Sequence, residues 1–496
     1  MKCYLTLCVL FFLSMNATSQ KQGNIWVGGF KGEITFLNTA ESSSRADSQL
    51  FWRTSASICD SEGKLLFYTN GFRVFNQLGE IMQNGDSLAL GDYISYGYGF
   101  NATPDGAVIL PLPSNDSNYY LFYNDLNYIN TELGNILYPT HLYYAKISFG
   151  KNYGLGTILN GEKQIVVLTD TLTDSGIQAV KHGNGRDWWL VCHEYGSNRY
   201  YKFLIDSSGI EGPYIQDIGI VYKLVNAQIS SPMKFSADGS LFVHQSRDSN
   251  IVELMNFDRC TGNLYNYRSF QIDSVWVPAR GVSISPNNQF VYVSSNFNEI
   301  LQFDITKADI FNTRQIVGRD NGIEDPFPAN YYLHQLGPDG KIYITPYDAD
   351  YALHVINNPD LPDTACHFVE WGFPLIDSTT WFGCAPNIPN YNLGALEGSL
   401  CDTVFTSLPI VKDVVFTHGV YPNPCYQKTQ LSITGVNHEV LISIYNTIGN
   451  LIYNATLQPI NGFVHAFINL YDQPPGVYLL KAKTDRREVT EKILNE

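Results

Sequence analysis

Phe235-Ser236-Ala237-Asp238-Gly239-Ser240-Leu241-Phe242-Val243 carries a tight turn followed by an alternating apolar strand. Asp-Gly supplies the positive-φ backbone that a hairpin needs, and the alternation after it makes one face apolar. The pattern returns at Cys59-Asp60-Ser61-Glu62-Gly63-Lys64-Leu65-Leu66-Phe67-Tyr68 and at Thr103-Pro104-Asp105-Gly106-Ala107-Val108-Ile109-Leu110. It returns again at Ile284-Ser285-Pro286-Asn287-Asn288-Gln289-Phe290-Val291-Tyr292-Val293 and at Leu336-Gly337-Pro338-Asp339-Gly340-Lys341-Ile342-Tyr343-Ile344. A degenerate copy is His182-Gly183-Asn184-Gly185-Arg186-Asp187-Trp188-Trp189-Leu190-Val191. The turn glycines, with Asn288 in the fifth copy, stand 43, 79, 54, 49 and 52 residues apart. The gap of 79 is close to two periods. It predicts one further unit between Gly106 and Gly185 whose turn is lost, with a strand over Tyr143 to Phe149.

Third strands follow at Tyr200 to Asp206, Ile251 to Asp258, Glu299 to Asp304 and Leu353 to Asn358. A period of about 40 to 55 residues, all strand and turn, is what a β-propeller requires, because a lone four-stranded sheet cannot bury both faces. Six copies and one inferred unit predict an all-β fold: a seven-bladed β-propeller over residues 20–395, followed by a small β-sandwich. Asn24 to Gly29 is expected to complete the last blade. The Ser-Pro-Asp-Gly-Lys type turns, with Trp188-Trp189-Leu190-Val191-Cys192-His193-Glu194-Tyr195-Gly196, resemble the broad WD-like and YVTN-like propeller group. That resemblance implies a fold and no particular activity.

Residues 416–496 read differently. Val420-Tyr421-Pro422-Asn423-Pro424 opens the segment, Leu431 to Ile433 and Val440 to Tyr445 are strand-like, and Gly449-Asn450 marks a turn. Gly476-Val477-Tyr478-Leu479-Leu480-Lys481 begins a final hairpin that ends near Lys492-Ile493-Leu494. This layout resembles the C-terminal sorting domain of type IX secretion cargo of the Bacteroidetes, with Pro422, Asn423, Pro424, Gly476, Tyr478 and Lys492 matching its motif. The resemblance implies export by way of the periplasm to a secreted or cell-surface location, with the type IX secretion machinery as partner. It also implies a linker and cut region over residues 396–415.

At the other end, Lys2, an apolar run from Tyr4 to Met15 and Asn16-Ala17-Thr18-Ser19-Gln20 read as a secretory signal peptide over residues 1–19, cut between Ser19 and Gln20. The apolar run is too short to span a bilayer, and no later segment approaches spanning length. Net charge is −16, while the tail holds six basic and six acidic residues, so the acidity belongs to the body. An acidic body argues against nucleic acid, whose binding rests on Lys and Arg.

Seven cysteines lie beyond the signal: Cys59, Cys192, Cys260, Cys366, Cys384, Cys401 and Cys425. Cys366, Cys384 and Cys401 are nearest in sequence, so a Cys366–Cys384 bridge is an open possibility. No Cys-x-x-Cys pair is present, and no metal or other cofactor is expected.

No catalytic residue is assigned. His193-Glu194 lacks the second histidine of a zinc-protease helix and sits in a strand-like run. His182, with Arg186 and Asp187, reads as a hairpin cap rather than a channel group, and His334 near Tyr331 and Tyr332 raises the same choice. Tyr96-Gly97-Tyr98-Gly99 reads as an aromatic surface loop; Trp371, Trp381 and Phe382 read as core. Thr171 and Thr403, each after an Asp, resemble O-glycan acceptors of Bacteroidetes secreted proteins. Two functions remain. The favoured one is a non-enzymatic binding or adhesion scaffold for a protein or glycan ligand; the alternative is a polysaccharide hydrolase or lyase. Converging Asp, Glu, His or Arg at a channel mouth would favour the enzyme, and a lining of Tyr, Asn and Ser would favour binding.

Overall fold

The computed structural model describes residues 21–402 and 417–496, except 38, 48, 89–90, 96–98, 114, 132–133, 151, 175, 222–230, 247–249, 276–278, 297, 324–326, 422, 435, 437, 460–462 and 485–486. The signal peptide with Ser19 and Gln20, most of the Tyr96–Gly99 loop, Thr403 and Pro422 therefore lie outside the described residues. Helix is confined, among those described, to the single turn Asp92–Ser95 and three short 3-10 turns. The chain divides into two units, at residues 403 and 404.

The first unit is a β-propeller. Its described residues hold seven antiparallel sheets in chain order and one separate hairpin. The fourth sheet runs Gln178–Lys181, Trp188–His193, Arg199–Ile205, Ile210–Asp217. The fifth, sixth and seventh repeat that meander from Met233–Phe235, Ala279–Ile284 and Tyr331–Leu336. In each of these the repeat turn joins the first strand to the second. Ser236 N–H donates to Leu241 O and Gly239 N–H to Ser236 O. Ser285 and Asn288 do the same one sheet later. The positive φ falls on Gly63, Gly185, Gly239, Asn288 and Gly340, as the turn chemistry demands.

Two details differ from the sequence reading. Between Gly106 and Gly185 lies one enlarged sheet, not two blades. Asn115–Asn124 pairs Ala107–Leu112 and His141–Ser148, and the last of these carries both Thr157–Ile158 and Ile165–Thr169. The hairpin Asn127–Thr131 with Gly134–Tyr138 takes up much of the remaining length. The second difference concerns Ile25–Gly28. It pairs with Gly32–Phe36 in a sheet of its own, completed by Ala40–Ser44, and does not join the last sheet. That sheet escapes the repeat pattern because its turn, Gly29-Phe30-Lys31, bends on Gly29 and Lys31 at positive φ without an Asp-Gly.

Neighbouring sheets share apolar clusters, and these close a ring. Phe242 and Met255 pack with Trp189 and Tyr200 between the fourth and fifth sheets. Val243 and Leu254 pack with Val282 and Val293 between the fifth and sixth. Tyr292 and Ile300 pack with Tyr331 and Ile344 between the sixth and seventh. The last contact returns to the start: Tyr343, Leu353 and Val355 cluster with Trp26, Phe36 and Trp381. Among the described residues the seam is side-chain packing plus two backbone bridges, Phe30 to Thr380 and Asp350 to Trp381, with Ile376 N–H donating to Ser42 Oγ. Trp381 is fully buried there, and a Cβ on Gly28 would stand 2.3 Å from its ring, so only glycine fits beneath it.

The chain after the seventh sheet stays on this unit through Asp402. Leu396 N–H donates to Gly183 O, and Cys401 is disulfide-bonded to Cys260 across 141 residues. Residues 396–402 are thus part of the body, where a linker was expected. Cys366 and Cys384 are separate, buried free thiols, which removes the bridge left open between them.

The second unit is a sandwich of a three-stranded sheet (Thr417–Tyr421, Lys428–Thr434, Phe463–Asn469) and a four-stranded sheet. The four strands are Leu451–Leu457, Val440–Asn446, Gly476–Lys483 and Glu488–Asn495, in spatial order. Leu431, Ile433, Ile442, Ile444, Leu480 and Ile493 fill its core.

Two outcomes follow. Trp381→Ala should cost the first unit about 3–5 kcal/mol in chemical denaturation, the range for emptying a buried aromatic site. Reducing the Cys260–Cys401 bridge should lower its stability by about 2–4 kcal/mol, and a Cys401→Ser variant should show the same loss without reductant.

Candidate functional site

First strands of successive sheets lie against one another around the ring's axis, so polar residues on them converge. The turn-side end of this axis holds a cavity of about 330 Å³. Its walls come from the ends of four first strands: Gln178 to Val180, Lys234 to Ala237, Ser283 with Ile284, and His334 to Leu336. The chain's own return closes it, through Ile388 to Leu393.

That return is fixed by side-chain amides. Asn387 Nδ2 donates to Ile177 O at 2.6 Å, and Asn390 Nδ2 donates to Ala237 O at 2.6 Å. Tyr391 is buried, and its hydroxyl donates to Ile109 O at 2.8 Å. Each bond satisfies a main-chain acceptor that a propeller axis would otherwise expose.

A polar chain crosses the axis beside the cavity. Lys234 Nζ lies 2.9 Å from Asp105 Oδ2, and Gln178 Nε2 donates to the same oxygen at 3.0 Å. Lys234 also donates to Gln335 Oε1 at 3.4 Å, and Gln335 donates to Ile388 O at 3.3 Å. Asp105 belongs to the third sheet's turn, so four sheets and the returning segment meet in one network. Burial pushes the Asp105 carboxyl above its ordinary value, while the Lys234 charge and the Gln178 amide oppose that shift.

His334 faces this cavity and is fully enclosed. Ser283 Oγ lies 2.9 Å from its Nδ1 and Ser294 Oγ 2.7 Å from its Nε2. Burial, then the nearby Lys234 charge, push its pKa down to about 3, so the ring is neutral. The cap reading favoured for His334 as for His182 is therefore corrected: on the first strand Tyr331–Leu336 its ring lies on the axial wall. His182 is the hairpin cap anticipated: Asn184 N–H donates to its Nδ1, and its Nε2 lies 2.9 Å from Cys260 O. His193 is a buried strand histidine, likewise pushed down to about 3 by burial. Trp381 is core, and Phe382 beside it is only half-buried.

No Asp or Glu is among the described residues lining the cavity. No trio of His, Cys, Asp or Glu among the described residues is placed to hold a metal ion. What the walls offer is amide, hydroxyl, one ammonium, the neutral His334 ring and apolar surface. Asp105, Gln178, Lys234, Gln335 and Asn387 were not singled out from sequence. The available signal was weak: Lys234 is a lone charge in the strand Met233-Lys234-Phe235.

In the second unit Asn423, Gly476, Tyr478 and Lys492 lie on or beside the final hairpin. Asn423 Nδ2 donates to Lys492 O at 2.5 Å, and Leu494 N–H donates to Asn423 Oδ1 at 2.9 Å. Cys425 N–H donates to Leu494 O, which lays the Asn423-Pro424 segment along the final strand. Tyr478 pairs with Ile493 on the adjacent strand, and its hydroxyl donates to Pro474 O at 2.6 Å. Gly476 opens that strand opposite Asn495.

Residues 419–496 match the family described as the secretion system C-terminal sorting domain. The tail is thus a type IX sorting domain, and the protein is exported to the cell surface or beyond. No curated protein matches the chain. Among solved structures, it resembles a periplasmic gluconolactonase of Pseudomonas aeruginosa at 13% identity and TM-score 0.40, covering 71% of this chain and 97% of that one. A functionally unknown protein of Desulfotomaculum acetoxidans aligns at 14% identity and TM-score 0.39, covering 73% and 98%. The Cps50 (Swd1) propeller domain of Myceliophteria thermophila aligns at 10% identity and TM-score 0.34, covering 66% and 94%. No helix among the described residues is long and apolar enough to cross a membrane.

The buried histidines set a pH dependence. His193, His334 and His354 are held near 3 by burial, and His244 is also pushed down. Unfolding restores an ordinary value of about 6.5, so the unfolded chain binds more protons below that pH. The stabilising contribution is full above about pH 6.5 and is lost as pH falls toward 3. Denaturation midpoints should hold from pH 7.5 to about 6.5 and fall from there to pH 4, and His334→Asn should reduce the slope below about pH 6.5 by about 1.4 kcal/mol per pH unit.

Proposed function

We propose that this chain is type IX secretion cargo whose body is a non-enzymatic binding or adhesion propeller, taking a protein or glycan ligand. The observation that carries this reading is the axial cavity's lining, in which amides and hydroxyls converge and no carboxylate takes part. The alternative, a polysaccharide hydrolase or lyase, needs an acid and a base facing one bond. Of the axial carboxylates, Asp105 is engaged by Lys234 and Gln178, while Asp174 beside Arg53 at the opposite mouth is the one observation that favours the alternative.

Several finer points belong to the same proposal. Residues 1–19 act as a signal peptide cut between Ser19 and Gln20, and the source is a member of the Bacteroidetes. The repeats are WD-like and the ring has seven blades. Pro422, Asn423, Pro424, Gly476, Tyr478 and Lys492 form the surface read by the secretion machinery; the lock of Asn423 onto the final strand supports this.

Deleting residues 416–496 should strand the body in the periplasm, measured by fractionation and immunoblotting. Full extracellular levels of the truncated protein would contradict the sorting assignment. Incubating the exported protein with polysaccharides should give saturable binding with no release of reducing ends. Release would transfer the body to the hydrolase class.

A further inference from the structure

The opposite end of the axis has a different chemistry. There the first strands begin, and residues from four sheets meet. Arg53 precedes the second sheet, Asp174 precedes the fourth, Arg280 begins the sixth and Tyr332 begins the seventh. Tyr347 follows the seventh sheet's second strand. Both guanidinium groups approach one ring: the Arg53 guanidinium carbon stands 5.7 Å and that of Arg280 5.3 Å from the centroid of the Tyr347 ring. Arg53 Nη2 donates to the Tyr347 hydroxyl at 3.2 Å, and the rings of Tyr332 and Tyr347 meet edge to face at 5.2 Å.

Two donors in this cluster are buried without a partner among the described residues: Arg53 Nε and the Tyr332 hydroxyl. Arg53 is 7% exposed and Tyr332 0%. A buried guanidinium N–H left unmatched costs more than a neutral donor, so such an arrangement is kept where an acceptor arrives from outside. Trp52, adjacent to Arg53, is 37% exposed, and its ring lies 5.6 Å from Phe100 and 6.3 Å from Phe382.

We propose that this mouth binds a sugar bearing a carboxylate, such as a uronic acid residue of an acidic polysaccharide. The Arg53 fork and the Tyr332 phenol, with the Arg280 charge beside them, match a planar carboxylate, which accepts parallel N–H bonds. Asp174 places a negative charge near Arg53 and Tyr332. That charge disfavours a doubly charged phosphate, and a carboxylate side chain can accept from sugar hydroxyls. The exposed Trp52 face supplies an apolar surface for a pyranose ring. The inference rests on the binding reading above and adds the ligand's class.

The test is calorimetric titration of the full exported chain with digalacturonic acid, the neutral disaccharide galactobiose and inorganic phosphate. Digalacturonic acid should bind, and the other two should bind at least about tenfold more weakly. Arg53→Ala and Arg280→Ala should each weaken it by about 10- to 100-fold, and Tyr332→Phe by about 2- to 10-fold, with melting temperatures recorded for each. Arg53→Lys, which keeps the charge and loses the fork, should lose most of the affinity while remaining folded. No binding of the acidic disaccharide, equal binding of galactobiose, stronger binding of phosphate, or full affinity in folded Arg53→Lys would each overturn the proposal. Cleavage of the bound disaccharide would defeat the non-enzymatic reading and leave this site standing. Saturable binding of a neutral glycan, unaffected by Arg53→Ala, would do the reverse.

Discussion

Trp381 seated over Gly28 and Gly32 is the contact on which the first unit depends. A ring of sheets has a seam wherever the chain ends meet, and an open seam would expose two apolar faces. Here the seam is not zipped by a strand borrowed from the far end of the chain. It is filled by one indole, with Trp26, Phe36 and Tyr343 packed around it. Glycine at 28 and 32 is the geometric condition for that filling.

The same return of the chain builds the axis. After Trp381, residues through Asp402 cross the unit, satisfy main-chain oxygens with Asn387 and Asn390, and are tied down by Arg259 and the Cys260–Cys401 disulfide. The turn-side cavity is closed by this segment, while the other mouth gathers arginine and tyrosine. One ring thus carries two chemically distinct ends, and among the described residues the arginine end holds two buried donors without an acceptor, Arg53 Nε and the Tyr332 hydroxyl.

Local chemistry made much of this legible. Asp238-Gly239, Asn287-Asn288 and Asp339-Gly340 each encode a turn through their own φ preference, so the hairpins they close could be read directly. The strands Ile251–Asp258 and Glu299–Asp304 have the bounds expected. The first sheet was illegible because its turn uses Gly29 and Lys31 in place of the repeat signature. The third sheet's length was misleading because an inserted hairpin mimics a second period. Convergence is the part a sequence cannot state. Arg53 and Arg280 are far apart in the chain, as are Asp105 and Lys234, and only ring closure makes them neighbours. The tail was more legible, since its motif residues lie on two adjacent strands and one short segment.

The most direct test of ring closure is residue-resolved amide hydrogen exchange across the seam. Closure by Trp381 predicts that the amides of Phe30, Asp350 and Trp381, which are hydrogen-bonded across it, exchange as slowly as those inside the fifth and sixth sheets. Fast exchange at these three positions, with the sheets still protected, would mean that the ring is open and would contradict the account.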